Sequence, residues 1–373
     1  MTAPTTSTDD ATAAVWRGPG GGFAIERIPL PGSLADGEVL VRVRLATLCG
    51  SDLHTVAGER ETPLPTVLGH EMVGDVLGTA GTVRTTTGEP VRPGMRISWS
   101  VGASCGHCAR CRREMPQKCV QLAKYGHAAI TDDWRLNGGL STHAHLLPGT
   151  GIVRVPEVVH DRVAVPANCA TATIVSAVHA ARPDRGETVV VQGCGMLGLT
   201  AIAYLRALGH HPVLGCDPDP RRRELAARAG ATDTVAPEEL SERVRVLTDG
   251  EGAGAVLDLT GNSPAVQAGL GLLGHGGRMV LVGSVFPSPP VSVDPEQVVR
   301  RLLTVTGVHN YRPDDLETAM EFLGSLDEQT SDLFRDFVPR VFPLSRIGDA
   351  VTYANSARPP RVAIDPWDHQ AGP

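Results

Sequence analysis

The first part of the chain alternates hydrophobic and polar positions, whereas the second part gathers its hydrophobic residues into continuous runs. From Val39 to Arg44, the valines at every second position would share one face of a β-strand and the arginines the other. The segments Gly69–Gly74 and Val91–Ile97 also predict short strands, bounded by glycine and proline. The pattern therefore predicts a β-rich unit over about the first 165 residues, with loops that carry the chemistry.

From Thr188 onward the pattern changes to strands and helices in alternation. The continuous apolar strand Thr188–Gln192 is followed by an apolar helical segment, Leu199–Leu208. Further apolar strands are predicted at Gly254–Gly261 and Gly276–Gly283. Repeated strand–helix units with apolar strands predict an α/β fold with a parallel, doubly wound sheet. The amphipathic segment Asp314–Leu323 and the tail do not follow this rhythm, so we expect the chain to return there and complete the first domain.

Length and composition narrow the class of protein. A chain of 373 residues is too long for one ordinary core, so two domains are expected. The net charge of −7 gives no basic surface for nucleic acid, and no apolar run reaches the length of a membrane span. Residues 2–14 have neither a basic start nor an apolar segment, so we expect a disordered tail and no secretory signal. The eight cysteines then indicate reduced thiols and metal sites in the cytoplasm instead of disulfides.

Two short motifs in the first domain carry candidate metal ligands. The stretch Cys49–His54 holds a thiol, a hydroxyl, a carboxylate and an imidazole, and Gly69–Glu71 adds a second imidazole beside a carboxylate. Sulfur with imidazole is a ligand set for zinc, and a site with three protein ligands leaves a fourth position for a substrate. A single cysteine or histidine is more often a buried packing residue, so the hypothesis depends on the other motifs.

A second cysteine cluster follows on a segment of low hydrophobicity, with gaps of 3, 3 and 8 residues between Cys105, Cys108, Cys111 and Cys119. Four thiols this close in sequence cannot all be core residues, and in a reducing compartment four thiolates around Zn²⁺ are the simplest explanation. Such a site is closed and therefore structural. The alternatives are an iron–sulfur cluster and a chance grouping.

A dinucleotide-binding motif lies at the start of the second domain. The sequence Gly193-Cys194-Gly195-Met196-Leu197-Gly198 is a G-x-G-x-x-G between a predicted strand and a predicted helix, which is the context that the motif requires. Asp217 ends the next strand, 24 residues after the first glycine, where a carboxylate binds ribose hydroxyls and repels a 2′-phosphate. We therefore expect NAD over NADP, although Arg221, Arg222 and Arg223 follow closely. The alternative is that Asp217 is a turn residue before Pro218.

These motifs, in this order, resemble the zinc-dependent medium-chain alcohol dehydrogenases over about Val39 to Ile364. The resemblance implies a GroES-like catalytic domain in residues 1–165, with the structural zinc lobe at about 103–120. It implies a Rossmann NAD-binding domain inserted at 166–310, and a return to the catalytic domain at 311–373. We expect two Zn²⁺ per chain, NAD, a small alcohol or carbonyl substrate and a homo-oligomer, with Val280–Val282 and Val298–Val305 as candidate sheet edges.

The resemblance also assigns residue roles. Cys169 matches the third ligand of a catalytic zinc, after Cys49 and His70. Ser51 and His54 match a proton relay, although Ser51 is equally suited to cap a helix. Asp52 is expected to bind the non-ligating nitrogen of His70, and Glu71 to lie behind the metal as a transient ligand. The expected cofactor contacts are Gly193, Gly195, Met196, Leu197, Gly198, Asp217, Arg222, Val282 and Arg361.

Two details refine the expected substrate. Gly50 stands where some members of the family carry a basic residue, which aligns the chain with the polyol and threonine dehydrogenase branch. Other short stretches, such as Lys124–His127, resemble a subgroup associated with phosphonate metabolism, whose substrates would need cations from Arg60, Lys124 and His127. The main prediction is a zinc- and NAD-dependent alcohol dehydrogenase. The alternatives are a polyol or threonine dehydrogenase, a non-catalytic dinucleotide-sensing protein, and a zinc-free quinone-reductase-like enzyme.

Overall fold

The computed structural model describes residues 10–367, which form two compact units. Among the described residues, the first unit contains 10–168 and 335–367, and the second contains 169–334. The predicted domain boundaries lie at 166 and 311, so residues 311–334, which we expected in the returning segment, belong to the second unit.

The elements are numbered in chain order. The strands are β1 (Ala11–Trp16), β2 (Phe23–Ile28), β3 (Val39–Leu48), β4 (Thr66–Val67), β5 (Glu71–Thr79), β6 (Arg96–Ala103), β7 (Ala123–Lys124), β8 (His143–Leu146), β9 (Thr150–Arg154), β10 (Val189–Gln192), β11 (Val213–Cys216), β12 (Asp233–Val235), β13 (Ala253–Asp258), β14 (Leu273–Leu281), β15 (Thr304–Gly307), β16 (Val341–Pro343) and β17 (Val362–Asp365). The α-helices are α1 (Gly50–Val56), α2 (Ala109–Arg112), α3 (Asp161–Ala164), α4 (Ala172–Ala181), α5 (Met196–Ala207), α6 (Pro220–Arg228), α7 (Leu240–Leu247), α8 (Ser263–Leu272), α9 (Pro295–Arg300), α10 (Pro313–Gly324), α11 (Glu328–Asp336) and α12 (Ile347–Ala357). Short 3₁₀ turns lie at Pro116–Lys118, Pro237–Glu239 and Leu344–Arg346, and a π-helical turn lies at Ala167–Thr171.

The first unit is built on a sheet in the order β16-β17-β3-β5-β6-β7, with β8 paired to β3 and β9 paired to β6. A smaller sheet has the order β2-β1-β4. The predicted alternation in β3 is confirmed, because Val39, Val41 and Val43 are buried while Arg44 is exposed. Strands β3 and β5 run antiparallel and place Thr47 opposite Glu71, which brings the end of one strand beside the start of the other.

The predicted disordered tail is wrong for residues 11–14, because these residues belong to β1 and pair with β2. Residues 2–9 lie outside the described part of the chain. Ala11, Ala13 and Ala14 are fully buried. Small alanines supply little hydrophobic signal in the sequence, yet they fit closely between neighbouring strands, and pairing with β2 satisfies their backbone groups.

The second unit has a six-stranded parallel sheet in the order β12-β11-β10-β13-β14-β15. Its central strand β10 is buried at every position, as the continuous apolar run predicted. The order reverses between β10 and β13, and in doubly wound sheets this switch point, at the carboxyl ends of the strands, is where ligands bind. The predicted parallel α/β sheet is therefore confirmed.

Several helices of the second unit begin with residues that suit the first turn of a helix. Proline occupies the first turn of α6, α8, α9 and α10, where its missing N–H would have no partner in any case. The side chains of Asp219, Asn262 and Asp294 accept backbone hydrogen bonds at three of these starts. One helical stretch, Asp161–Ala181, is long and apolar enough to cross a membrane by length and composition, but 72% of its apolar window is buried inside the protein.

Candidate metal and cofactor sites

Helix α1 begins directly after β3, and its N-cap is Cys49. The backbone N–H of Cys49 donates to Asp52 Oδ2 at 2.9 Å, so the first turn of the helix positions both side chains. Ser51 therefore lies inside the first turn and is not the N-cap, which was the alternative to its role in a relay. Its Oγ lies 3.4 Å from His70 Nε2.

His70 is fixed by the backbone around Gly69. Gly69 has φ +86°, and a Cβ there would lie 3.0 Å from the backbone nitrogen of Leu140, so glycine is needed at this turn. His70 Nδ1 lies 3.4 Å from Asp52 Oδ1, a long contact that leaves this buried nitrogen weakly satisfied. Burial opposes an imidazolium here, but Asp52 and Cys49 outweigh it and raise the pKa of His70 to about 10. The surroundings of His70 thus favour a positive charge, as a metal-binding site does.

Glu71 is completely buried, and two side chains donate three hydrogen bonds to its carboxylate. Thr47 Oγ1 donates to Oε2 at 2.6 Å, and Arg361 donates from Nε to Oε2 at 2.6 Å and from Nη2 to Oε1 at 2.7 Å. Arg361 Nη2 also lies 3.5 Å from Cys49 Sγ. The structure thus places Arg361 on Glu71, and its contact with a cofactor phosphate stays a prediction.

Four side chains offer ligand atoms within 4.8 Å of one another: Cys49, His70, Glu71 and Cys169, which we call the mixed-ligand group. Cys169 lies in the π-helical turn, directly after Asn168. Asn168 donates to the Trp99 carbonyl at 2.8 Å and accepts from the Met72 N–H at 3.4 Å, so the residue directly before Cys169 is held by two hydrogen bonds. Two thiolates, an imidazole and a nearby carboxylate are a suitable donor set for zinc.

His54 lies on α1 three residues after Ser51, on the same face of the helix. Its side chain is 45% exposed, and its Nδ1 contacts the Glu59 carboxylate. The helix therefore carries one polar group beside His70 and another that reaches solvent, in the order that a proton relay requires.

The four cysteines from Cys105 to Cys119, which we call the cysteine lobe, also bring their ligand atoms within 4.8 Å of one another. Sγ–Sγ distances are 3.5 Å for Cys108–Cys111, 3.5 Å for Cys105–Cys119 and 4.0 Å for Cys108–Cys119. Four sulfurs at about 2.3 Å around a tetrahedral zinc would be about 3.8 Å apart. Backbone N–H groups of Val120 and Cys111 lower the pKa of Cys108 to about 5, which favours its thiolate form. The cysteine lobe fits a closed zinc site.

The three glycines of the dinucleotide motif have distinct roles between β10 and α5. Gly193 has φ +91°, which suits glycine at the tight turn after β10. A Cβ on Gly198 would lie 1.9 Å from the Gly193 carbonyl oxygen, so the close packing of helix on strand requires glycine there. A Cβ on Gly195, the N-cap of α5, would meet nothing within 4 Å, which leaves open space for a pyrophosphate at the helix start. Met196 and Leu197 form the first turn of α5.

Asp217 is buried behind this loop. Its Oδ2 accepts from the Cys194 N–H at 2.8 Å and its Oδ1 accepts from the Asp219 N–H at 2.9 Å. Arg222 Nη1 lies 3.8 Å from Asp217 Oδ2. Asp217 thus supports the dinucleotide loop and the turn that follows β11, which agrees in part with the alternative that it is a turn residue. Its contact with a ribose stays a prediction. Val282 follows β14, and its N–H donates to Asp258 O at 2.9 Å.

Sequence reasoning missed three residues that support these sites. Thr47 binds Glu71, Asn168 fixes the chain before Cys169, and Asp258 accepts hydrogen bonds from the Thr260 N–H and hydroxyl and from the Gly261 N–H in the loop after β13. A usable signal in the sequence was a polar residue at or just after the end of a buried apolar segment. A buried polar side chain needs a hydrogen-bond partner, so such a residue indicates a specific contact.

Together, a cysteine–histidine metal group, a closed cysteine lobe and a dinucleotide loop on a parallel sheet define a zinc-dependent, nucleotide-using oxidoreductase. Two family models match: the alcohol dehydrogenase GroES-like domain over residues 35–157, and the zinc-binding dehydrogenase domain over residues 197–325. The chain belongs to the zinc-dependent medium-chain alcohol dehydrogenase family. The predicted family, the GroES-like and Rossmann folds, and the class of oxidoreductase acting on CH–OH groups are confirmed.

Individual relatives agree with this assignment. The chain is 29% identical to 5-exo-hydroxycamphor dehydrogenase of Pseudomonas putida, over 89% of this chain and 92% of that protein. It is 31% identical to L-threonine 3-dehydrogenase of Pyrococcus abyssi, over 75% of this chain and 77% of that protein. The crystal structure of an alcohol dehydrogenase from Thermotoga maritima has a TM-score of 0.89 at 29% identity, covering 95% of this chain and 99% of that one.

Proposed function

We propose that this protein transfers a hydride between a small alcohol, or its aldehyde or ketone, and NAD. The proposal rests on the mixed-ligand group, in which Cys49, His70 and Cys169 would hold zinc and leave one position for the substrate oxygen. When bound, zinc supplies Lewis acidity and NAD accepts the hydride. The alternatives without catalysis or without zinc would not need this ligand set together with Ser51 and His54.

In this proposal, helix α1 carries the proton away from the substrate. Ser51 lies beside His70, and His54 three residues later reaches solvent. The Glu59 carboxylate can only accept, so its contact with His54 Nδ1 keeps the hydrogen on that nitrogen and directs proton uptake to Nε2. Asp52 and Glu71 act behind the ligands: Asp52 orients His70 and the N–H of Cys49, and Glu71 stays paired with Arg361.

The cofactor contacts belong to the second unit. The space at Gly195 and the N–H groups that open α5 would bind the pyrophosphate, with Met196 and Leu197 in the first turn. Asp217 would favour NAD over a 2′-phosphorylated dinucleotide by repelling the phosphate, and Arg222 lies close enough to moderate this preference.

The test combines metal content with turnover. Purified protein should contain two zinc ions per chain, and a panel of alcohols with NAD should produce the absorbance of reduced nicotinamide. The panel should include bicyclic alcohols, polyols and L-threonine. Protein that holds two zinc ions and binds NAD, yet turns over no alcohol and reduces no carbonyl, would overturn the proposed function.

A polyol or threonine dehydrogenase is the second candidate. Gly50 at the first position of α1 supports it, because there is no basic side chain at this position to bind a cofactor phosphate. The 31% identity to an L-threonine 3-dehydrogenase supports it as well. A higher kcat/KM for L-threonine or a polyol than for simple alcohols would favour this candidate.

A homo-oligomer and a cytoplasmic location complete the proposal. Strand β15 ends the parallel sheet and exposes Val305, and the neighbouring Val299 and Leu302 are also largely exposed. An exposed apolar sheet edge is suited to pairing with a second copy. No disulfide joins the eight cysteines, all of which lie in the described part of the chain, and reduced thiols fit a reducing compartment. Light scattering after gel filtration tests the assembly, and Val305→Lys should shift it toward monomer.

A further inference from the structure

We propose that Arg361 is a positioning residue that holds the Glu71 carboxylate away from the metal and so keeps one position of the mixed-ligand group open. This inference rests on the proposed function, because the open position is where the substrate oxygen would bind. It gives Arg361 a role at the metal site, which the resemblance, with its contact to a cofactor phosphate, does not contain.

The mixed-ligand group has one ligand more than an open zinc site uses. Zinc takes four ligands, and a catalytic site draws three of them from the protein. The ligand atoms of four side chains lie within 4.8 Å of one another here: Cys49, His70, Glu71 and Cys169. If all four bound the ion, the site would be closed like the cysteine lobe. An open site therefore requires that one of the four be held away from the ion.

Glu71 is the member of the group whose ligand atoms are already bound by other side chains. Arg361 donates from Nη2 to Oε1 at 2.7 Å and from Nε to Oε2 at 2.6 Å. Thr47 Oγ1 also donates to Oε2, at 2.6 Å. A bidentate pair between a guanidinium and a carboxylate fixes the orientation of the carboxylate as well as its position. To bind a metal, Glu71 would have to give up hydrogen bonds that its buried oxygens need.

The register of the strands places Arg361 between the acid and the first metal ligand. In the antiparallel pairing of β17 with β3, Val362 lies opposite Leu48, so Arg361 and Cys49 lie side by side, one residue beyond that pair. Arg361 Nη2 accordingly lies 3.5 Å from Cys49 Sγ while it donates to Glu71. The same nitrogen thus contacts a metal ligand and holds the side chain that would compete with the substrate.

Arg361 is itself held firmly enough for this role. It is 9% exposed, its backbone N–H donates to the Phe337 carbonyl at 3.0 Å, and its Nη1 donates to the Pro360 carbonyl at 2.9 Å. Together with the contacts to Glu71 and Cys49, the side chain uses four of its five N–H groups. At most one N–H group is left for a cofactor phosphate, so the geometry favours a role at the metal site.

Removal of Arg361 should change the ligands of the metal. A buried carboxylate without a counterion is strongly unfavourable, and Glu71 is completely buried. A divalent cation in the mixed-ligand group would replace the lost positive charge if Glu71 bound it. We therefore expect Glu71 to become the fourth protein ligand when the guanidinium is absent, which closes the position that the substrate needs.

The experiment detects the open position without turnover. The protein is loaded with Co²⁺ in place of zinc and titrated with imidazole, which binds the ion only where a coordination position is open and then changes its visible absorption. The closed cysteine lobe offers no such position, so the change reports on the mixed-ligand group. The variants are Arg361→Met, Arg361→Lys, and Arg361→Met combined with Glu71→Gln. Arg278→Met is the matched control, because it breaks the ion pair with Glu187, outside both metal groups.

We expect Arg361→Met to weaken imidazole binding by about tenfold or more, which corresponds to about 1.4 kcal/mol. Arg361→Lys should weaken it less, because an ammonium group keeps the charge but not the bidentate contact. The double variant should regain most of the wild-type affinity, because an amide is a poor substitute for a carboxylate ligand, and Arg278→Met should retain all of it. If Arg361→Met does not fold, Arg361→Lys with and without Glu71→Gln gives the same comparison.

Wild-type affinity for imidazole in Arg361→Met would overturn the inference, and so would a wild-type protein that shows no response. A double variant that binds imidazole no better than Arg361→Met would also overturn it, because the loss would then not come from Glu71. An imidazole response that depends on Arg361 and Glu71, in protein that turns over no alcohol, would instead contradict the proposed function and leave the role of Arg361 standing.

Discussion

The cysteine lobe and the mixed-ligand group use similar ligands but are built in opposite ways. All ligands of the cysteine lobe lie within residues 105–119, and backbone N–H groups of the same segment donate to their sulfurs. The mixed-ligand group takes its ligands from positions 49, 70, 71 and 169, and residues from other strands support them. The first site can therefore form with little help from the rest of the fold, whereas the second depends on it.

Because of this difference, we expect the cysteine lobe to contribute to stability and the mixed-ligand group to reactivity. A closed site with four thiolates stabilises a segment that has little core of its own. A site assembled from distant strands can keep one face open, because buried neighbours such as Asp52, Thr47 and Arg361 hold its ligands in place. Substitutions in the two sites should therefore change different properties of the protein.

The largest expected effect is on turnover. Cys49→Ala should reduce activity to background and lower the zinc content from two ions to one per chain, while the melting temperature changes little. Cys216→Ala is the matched control, since this buried cysteine of β11 lies outside both groups, and its zinc content should stay at two. If Cys49→Ala still bound two zinc ions, the assignment of the catalytic ligand would be wrong.

Cys111→Ser should instead act on stability. Loss of the metal from the cysteine lobe should lower the free energy of unfolding by about 4 kcal/mol, equivalent to about 10 °C in melting temperature for a unit of this size. Zinc analysis and thermal unfolding followed by circular dichroism measure both changes. An unchanged melting temperature in protein that has lost one zinc ion would show that the lobe does not depend on its metal.

Asp52→Asn tests how strongly a residue behind the ligands supports zinc binding by the mixed-ligand group. The amide keeps the size of the side chain but cannot accept from all three of the groups near the carboxylate, so zinc should bind about 10- to 100-fold more weakly. Competition with a metal indicator measures the affinity. Asp75→Asn is the control, because Asp75 pairs with Arg44 away from the metal ligands, and it should leave zinc affinity unchanged.

Thr47→Val should have the smallest effect. It removes the hydroxyl that donates to Glu71 but keeps the shape of the side chain, and Arg361 remains, so we expect a loss of about 1 kcal/mol in the free energy of unfolding. Thr352→Val, on the exposed face of α12, should change it by less than about 0.5 kcal/mol. If urea denaturation gave the same change in the free energy of unfolding for Thr47→Val and Thr352→Val, Thr47 would not support the site.

Local patterns in the sequence predicted several local structures, but the strand predicted at Val91–Ile97 is wrong for residues 91–95, because β6 begins only at Arg96, after a turn. The alternation from Val39 to Arg44, the apolar run of β10 and the spacing of the four clustered cysteines each depend on neighbours along the chain. Cys169 came only from the resemblance, because nothing in its spacing from His70 indicates that the two residues meet. The strand at Ala11–Trp16 was missed because small residues that fit between strands give no periodic signal.

Long-range pairs were beyond the reach of the sequence. The pairing of Glu71 with Arg361 joins residues 290 positions apart, and the pairing of Asn168 with Trp99 joins residues 69 apart. Which polar side chains meet inside a core depends on the register of several strands, and a single sequence does not specify that register. The roles of Thr47 and Asn168 therefore appeared only in the structure.

The ion pair between Glu71 and Arg361 has a consequence for synthesis of the protein. Arg361 precedes β17 and is synthesised 290 residues after Glu71, so a nascent chain carries Glu71 without its counterion throughout that interval. Until then, the sheet of the first unit cannot close around that acid without burying an isolated negative charge. Assembly of the mixed-ligand group thus waits for the segment that carries Arg361, however early the strands around Glu71 are synthesised.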